Sequence, residues 1–355
     1  MEVLVLDSNF QGLTLLEAFE SLIWTERFCA FGDFEVYAPI DAVILNALKY
    51  DNYLWVENSD YVMVVEDWKI VTDPVNGNKI SVTGRSLESI LDRRIIWKQT
   101  ILSGNFQTEV ERLLNENAIS PEISARHIPN LIFEASTDPI ITALTIDTQF
   151  TGDNLYDAIQ VLCAVNDIGF HISLSDNGSL VFKLYSGTDR SYAQFLNPHV
   201  IFSNEFENID NGTFIGSTKS LKTVTLVAGE GEGVDRKTTS VDASTGAGEG
   251  LTRRELFTDA RDISSTTDSG TLTPADYLIL LSQRGTEKLS LQTTTESFDG
   301  QIEPSTNFKY GVDFFLGDIV QIENEYGMES RTRVVETIRS QNVSGIEVYP
   351  TFRAI

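Results

Sequence analysis

Over much of the first 95 residues apolar and polar positions alternate with a period of two. Val3 and Val5 alternate with Leu4 and Leu6, and the pattern returns in Phe34-Glu35-Val36-Tyr37, Asn52-Tyr53-Leu54-Trp55-Val56, 61–70 and 79–83. β-Branched and aromatic residues at this spacing predict strands, and Asp73-Pro74-Val75-Asn76-Gly77-Asn78 between the last two runs predicts a hairpin turn. Two helices interrupt the pattern. One spans 40–49 with Val43, Ile44, Ala47 and Leu48 on one face; the other is short, capped by Ser86 and carries Leu87, Ile90 and Leu91.

From about 96 to 204 the period changes. Phe106, Val110, Leu113 and Leu114 form an apolar stripe with Glu109, Glu111 and Arg112 on the wet side. Leu155, Ala158, Ile159, Leu162 and Cys163 form a second, with Asp153 as its cap. A hairpin follows: Phe170, Ile172 and Leu174 run out, Asp176-Asn177-Gly178 turns, and Leu180, Phe182 and Leu184 run back. Helix and hairpin, each with one apolar face, predict a two-layer α/β unit. Further on, 221–228 reads as a strand and the Gly/Glu/Thr/Ser-rich stretch 229–250 as a mobile surface loop. Thr273-Pro274-Ala275-Asp276 starts a helix with Pro at its first position. Strands resume at 289–295, 318–323, 332–339 and 346–352.

An internal echo links the two ends. Asn52 to Asn58 leads to Val64-Val65-Glu66 and then Ile80-Ser81-Val82; Asp318 to Asn324 leads to Val334-Val335-Glu336 and then Ile346-Glu347-Val348. Element order and alternation agree while the turns differ in length. Two readings stand: coincidence among short strands, or one small β-barrel present twice, the second copy interrupted by 229–288.

Composition narrows the function classes. With 26 Lys+Arg against 52 Asp+Glu the chain carries a formal charge of −26, which opposes stable nucleic-acid binding and adhesion to anionic membranes. No apolar run approaches the roughly 20 residues of a membrane span, and the start, Met1-Glu2-Val3-Leu4, lacks the basic region of a signal peptide. Cys29 and Cys163 form no CxxC and read as small buried hydrophobes.

Candidate chemistry is sparse. No HExxH, GxSxG, Walker A or EF-hand loop is present, and Gly229-Glu230-Gly231-Glu232-Gly233 would repel phosphate. His127, His171 and His199 are far apart, and each reads as a structural or exposed histidine. The acids beside aromatics, Glu66-Asp67-Trp68 and Asp313-Phe314, are the candidates for a glycosidase pair, though each reads more simply as a strand edge or turn. Gly84-Arg85-Ser86 and Asp92-Arg93-Arg94 read as an ion-pair network or a subunit contact. The expectation is a protein with no catalytic residue, no cofactor and no metal.

Several stretches together resemble a siphophage tail-hub family, whose members are called minor tail, tail-tip or tail-associated proteins. They are Ser21-Leu22-Ile23-Trp24-Thr25-Glu26-Arg27-Phe28, Gly32-Asp33-Phe34-Glu35, and Val82-Thr83-Gly84-Arg85-Ser86-Leu87-Glu88-Ser89-Ile90-Leu91-Asp92-Arg93-Arg94. Weaker ones are Gly187-Thr188-Asp189-Arg190-Ser191, Phe315-Leu316-Gly317-Asp318-Ile319-Val320 and Val348-Tyr349-Pro350-Thr351-Phe352. The resemblance implies a β-rich α+β, baseplate-hub-like fold in which two tube-type β-barrels, 1–95 and 205–228 with 289–355, are joined by an α/β domain at 96–204, with 229–288 inserted as loop and helix.

It further implies a homotrimer whose duplicated barrels let a threefold ring dock on a sixfold tube. Its partners would be a hexameric distal tail or tail-tube protein, the tape-measure C-terminus, and tip, spike or fibre proteins. DNA would cross an acidic channel without binding stably. The chain would reside in the virion tail tip or baseplate after assembly in the host cytoplasm. Gly32, Asp33, Arg85, Arg93, Arg94, Gly317 and Asp318 are the candidate interface or barrel-rim residues. The chain ends almost with its last predicted strand, so an enzyme or fibre would belong to another chain. A tail-associated hydrolase of cell wall or polysaccharide and a receptor-binding module, with exposed aromatics near Phe298 or Tyr326, are the competing readings.

Overall fold

The computed structural model describes residues 1–355 except 76, 204, 209, 245–248, 268–269, 302–307, 325 and 327–328, with the backbone alone at 210–212 and 295–301. The first segment holds strands β1 (Val3–Leu6), β2 (Gly12–Leu16), β3 (Ser21–Arg27) and β4 (Asp33–Pro39), helix α1 (Ala42–Ala47), and strands β5 (Tyr53–Val56), β6 (Val62–Val71) and β7 (Lys79–Ser86). α1 is shorter than its apolar pattern, since Asp41 caps it, accepting the Ile44 N–H at 2.8 Å. Asn76 of the expected hairpin turn lies outside the described residues.

The middle segment holds β8 (Thr100–Asn105), α2 (Phe106–Leu114), β9 (Leu131–Glu134), α3 (Pro139–Thr142), β10 (Thr145–Phe150), α4 (Leu155–Val165), β11 (Gly169–Leu174) and β12 (Leu180–Tyr185). The stripes of α2 and α4 are buried together with Phe170, Ile172 and Phe182, forming a core of their own. Asn154, not Asp153, caps α4: its side chain accepts the Tyr156 and Asp157 N–H groups. β11 and β12 pair in the hairpin register expected, Phe170 opposite Leu184 and Ile172 opposite Phe182, while β9 adds to β12 in parallel.

The last segment holds β13 (Ile201–Ser203), β14 (Asp210–Ser217), β15 (Val224–Ala228), β16 (Thr238–Asp242), β17 (Glu255–Asp259), β18 (Thr266–Thr267), β19 (Gly270–Thr271), α5 (Pro274–Ser290), β20 (Thr295–Gln301), β21 (Ile319–Glu323), β22 (Glu329–Asn342) and β23 (Gly345–Ala354). Two local expectations change. The stretch 229–250 is not all loop, because β16 lies within it and pairs with β15, which β17 flanks on its other side; 245–248 lie outside the described residues. Residues 289–290, expected to open a strand, complete the last turn of α5. Tyr277, Leu280 and Leu281 of α5 close a third, small core with Val227, Ala260 and Ile263.

No closed barrel is found at either end of the chain among the described residues. Their strands share a thirteen-stranded sheet in the order β14-β20-β23-β22-β3-β4-β7-β6-β5-β1-β2, with β21 branching from β22 and β13 from β21. One hydrophobic cluster runs through both, from Val3, Trp24, Val36 and Val82 to Phe202, Phe314, Val334 and Phe352. Alternation sets which face of a strand is apolar but not which strand lies beside it; here β22 pairs with β3, some three hundred residues away in sequence.

The echo does have a structural counterpart. β5-β6-β7 and β21-β22-β23 are both three-stranded antiparallel meanders. Each carries an irregularity of register in its echoed triplet, at Glu66 between Val65 and Asp67 and at Val335 between Val334 and Glu336.

Candidate functional site at the sheet junction

The pairing of β3 with β22 sets Arg27 directly opposite Glu336 and Arg339 opposite Trp24, so the Trp24-Thr25-Glu26-Arg27 stretch is the seam between the two ends of the chain. Arg27 Nε donates to Glu336 Oε2 at 2.6 Å, and its guanidinium also pairs with Asp33 and reaches the Phe31 carbonyl at 3.2 Å. Burial works against the Arg27 charge, yet the Asp33 and Glu336 carboxylates raise its pKa above the ordinary value. One residue back, Glu26 is buried. It accepts Ser59 Oγ at 2.7 Å and Tyr310 OH at 2.9 Å, and it ion-pairs with Arg339 across the same seam. Leaving any of these partners unpaired in the interior would cost about 1–3 kcal/mol.

Gly32, Asp33 and Arg85 come together beside the seam. A Cβ at Gly32 would sit 2.2 Å from the Thr25 carbonyl oxygen, so the β3–β4 turn closes only around glycine. Its N–H donates to Ser86 Oγ at 2.7 Å, and the Ser86 N–H donates to the Gly32 carbonyl at 2.9 Å. Asp33 lies opposite Arg85 in the β4–β7 register, but the side chains go elsewhere. Arg85 grips Glu66 through two 2.7 Å bonds and Asp92 at 3.0 Å, and stacks on Phe31. The Glu66 bond first of all raises its pKa. The echoed glutamates therefore do the same work, Glu66 holding Arg85 and Glu336 holding Arg27.

Ser86 does not cap the following 3-10 turn with its side chain; the hydroxyl goes instead to the carboxylate of Glu88, which has no exposed surface. Glu88 Oε1 also accepts the Ile172 N–H at 2.8 Å and faces His171 Nδ1 at 2.7 Å, while His171 Nε2 lies 3.2 Å from the Asp60 carbonyl. Only an imidazolium donates to both of these acceptors. Burial opposes that charge, but Glu88 outweighs it and the His171 pKa is raised. This pair ties the sheet to the α/β unit. Nothing in the sequence marked Glu88 or His171 beyond their place in a motif and a strand.

Arg93 and Arg94 do not join this cluster. Arg93 pairs with Asp51 at 2.9 Å, and Arg94 Nε donates to the Arg126 carbonyl at 2.6 Å. Gly317 and Asp318 form a second centre, in the last segment. Gly317 has φ +90°, and a Cβ there would meet the Phe28 ring at 2.7 Å. Buried Asp318 accepts Thr188 N–H at 2.7 Å, Arg190 Nε at 2.7 Å and Phe315 N–H at 3.0 Å. Two stretches read separately in the sequence, 187–191 and 315–320, are thus one structural unit. Arg333 completes it, donating to the Ser186 and Gly317 carbonyls at 2.5 Å each and pairing with Asp167 at 2.6 Å.

Residues 2–352 match the family described as Siphovirus ReqiPepy6 Gp37-like protein. The chain belongs to that family. No curated protein matches it. Among solved structures, prophage tail protein gp18 from Listeria monocytogenes EGD-e is 15% identical, with 99% of this chain and 94% of that one covered at TM-score 0.55. The tail protein from Neisseria meningitidis MC58 is 13% identical, covering 99% and 96% at TM-score 0.56. The prophage MuSo2 43 kDa tail protein from Shewanella oneidensis is 12% identical, covering 99% and 98% at TM-score 0.57. This Gp37-like chain therefore has the fold of phage tail proteins over its whole length.

Of the carboxylates singled out for glycosidase chemistry, Glu66 is committed to Arg85 and Asp313 to the Lys309 N–H at 2.7 Å, while Asp67 is exposed on β6. Glu122, in a cleft of about 740 Å³, is held below the usual carboxylate range by Lys98, the opposite of what a general acid needs. Burial pushes the Glu287 carboxyl up; it sits on α5 beside Arg284 and lines neither the cleft of about 610 Å³ nor that of about 740 Å³. Among the described residues no cluster of His, Cys, Asp and Glu suits a metal ion, and no helix is long and apolar enough to cross a membrane. Cys163 is buried, and burial pushes the Cys29 thiol up to about 12.

Proposed function

We propose that this chain is a structural hub at the distal end of a phage tail, a homotrimeric ring that adapts a sixfold tube to a threefold tip or baseplate. The observation that carries the reading is the repeated meander, β5-β6-β7 and β21-β22-β23, each with an irregular register and a Glu–Arg clasp at the echoed triplet. Two such units per chain give six in a trimer, which is how duplication resolves a symmetry mismatch. In this reading each meander belongs to one of two tube-type repeats within the chain. The acidic balance suits a channel that DNA crosses without adhering. A hexameric distal tail or tube protein and the tape-measure C-terminus would meet one side of the ring, and tip, spike or fibre proteins the other.

Of the candidate interface residues, Gly32, Asp33, Arg85, Gly317 and Asp318 already make hydrogen bonds or close contacts within the protomer, and Arg93 and Arg94 are our choice for contacts beyond it. The test is native mass spectrometry of the purified chain and of tails carrying a tag on it. The expected species is three times the 39.5 kDa of one chain, located at the tail tip. A strictly monomeric chain within assembled tails would defeat the ring. Release of glycan or cell-wall fragments by the isolated protein would support the hydrolase reading instead.

A further inference from the structure

In a chain with twice as many acids as bases, most guanidinium groups sit against carboxylates; among the described residues Arg94, Arg126 and Arg254 do not, and of these Arg254 bonds to Thr218 while Arg94 and Arg126 adjoin each other. Arg94 bonds only to the carbonyls of Arg126 and Arg93, at 2.6 and 2.8 Å. Arg126 bonds to the Ile95 carbonyl and, at 3.2 Å, to Asn117 Oδ1. Neither has a carboxylate within ion-pair distance among the described residues, and Arg94 Nη2 and Arg126 Nη1 have no hydrogen-bond partner there. Burial and the nearby Arg94 charge both lower the Arg126 pKa. Two like charges have been brought together without a counter-ion, although counter-ions abound in this sequence.

Their surroundings form a ledge. The Arg126 guanidinium stacks on Trp97, 5.0 Å from the ring centroid, and Trp97 is 58% exposed, with Ile95 and Ile123 each 45% exposed nearby in the chain. Each arginine lines a cleft of its own. One, of about 610 Å³, is lined by Arg94 with Arg93, Phe10, Tyr53 and Asp176; the other, of about 740 Å³, by Arg126 with Trp97 and Ile123, where Glu122 and Glu116 are already matched by Lys98 and Arg112. Exposed Trp and Arg together, in a cleft, have the composition of an interface hot spot.

We propose that this ledge docks an acidic, extended peptide segment of another protein, its carboxylates on Arg94 and Arg126 and an apolar side chain against Trp97. Charge complementarity selects the partner. Two guanidiniums on a chain of net charge −26 suit a few carboxylates, whereas the field of the whole protein repels a polyanion such as DNA. The inference adds the partner's chemistry to the interface role given above to Arg94; peptide binding by a monomeric chain would uphold it even where the trimer fails.

Fluorescence anisotropy with a labelled short peptide alternating Glu and Leu tests it on the full chain. The peptide should bind with an affinity that falls as salt rises, and the same peptide with Gln for Glu should not. Arg94→Ala, Arg126→Ala and Trp97→Ala should each weaken binding about tenfold. Arg94→Lys and Arg126→Lys should keep part of it, and Arg253→Ala, in the small third unit, all of it. Thermal melts monitor folding; Trp97→Ala, at an exposed position, keeps the test open if an arginine variant unfolds. Failure of the wild type to bind, equal binding of the Gln peptide, unchanged affinity in both alanine variants at arginine, or tighter binding of single-stranded DNA would overturn the proposal.

Discussion

Glu88→Gln keeps the shape of a fully buried side chain and removes its charge. In the native chain His171 faces two acceptors, the Glu88 carboxylate at 2.7 Å and the Asp60 carbonyl at 3.2 Å, and its pKa is raised against the opposing effect of burial. The stability this gives is fully present below the unfolded-state pKa of about 6.5 and is lost as pH rises through the folded value, with a slope of at most about 1.4 kcal/mol per pH unit. In the variant burial remains and the attraction is gone, so the His171 pKa should fall below its ordinary value. The sign then reverses: the contribution is present above about pH 6.5 and lost as pH falls. Breaking a buried ion pair costs about 3–5 kcal/mol. Glutamine Oε1 can still accept the Ile172 N–H, so about 3 kcal/mol is expected near pH 6, with a smaller loss near pH 8. Urea unfolding of both proteins at about pH 6 and about pH 8 reads the double difference, and histidine-ring NMR follows the titration. Identical pH slopes in the two proteins, or His171 titrating at or below its ordinary value in the native chain, would refute the reasoning.

Two further substitutions test the frame. A Cβ at Gly84 would lie 1.7 Å from the Val64 carbonyl oxygen, where β6 and β7 cross the first irregular register; Gly84→Ala should lower stability by at least about 3 kcal/mol in denaturant titration, and a near-native midpoint would contradict the close approach. Asp318→Asn leaves Arg190 without its counter-charge at a buried site; a loss of about 2–4 kcal/mol is expected, and a stability equal to wild type would show that the three donors to Asp318 matter little.

The motif residues are legible in the sequence and their pairing is not. Glu26, Arg27, Arg85 and Asp318 stand out in the sequence as charged residues inside recurrent stretches. Their role as clasps depends on Ser59, Arg339, Glu66, Glu336 and Arg190; the sequence marks Glu66, Glu336 and Arg190 in recurrent stretches of their own, but nothing local says which charge meets which. The sequence marks the Gly32 turn but not its partners: it closes onto Ser86 and lies next to Phe31, whose N–H donates to Tyr156 OH of α4 at 3.0 Å. Of the two readings of the 84–94 arginines, an ion-pair network or a subunit contact, Arg85 and Arg93 have carboxylate partners within the protomer and Arg94 has none among the described residues.

By itself the sequence determined the elements whose causes are local. Period-two alternation gave the strands of both meanders, the i, i+4 stripes gave α2 and α4, and Asp176-Asn177-Gly178 and Thr273-Pro274 gave a turn and a helix start. Recurrent motifs along the chain gave its kinship. Tertiary structure alone decided that β3 lies against β22, so that the two ends share one sheet and one core. It also decided which charges are neutralised within the protomer and that Arg94 and Arg126 adjoin without a carboxylate partner among the described residues. Strand faces follow from neighbours two residues away, whereas strand partners and counter-ions are chosen across hundreds of residues by the fit of whole surfaces, which no local pattern encodes.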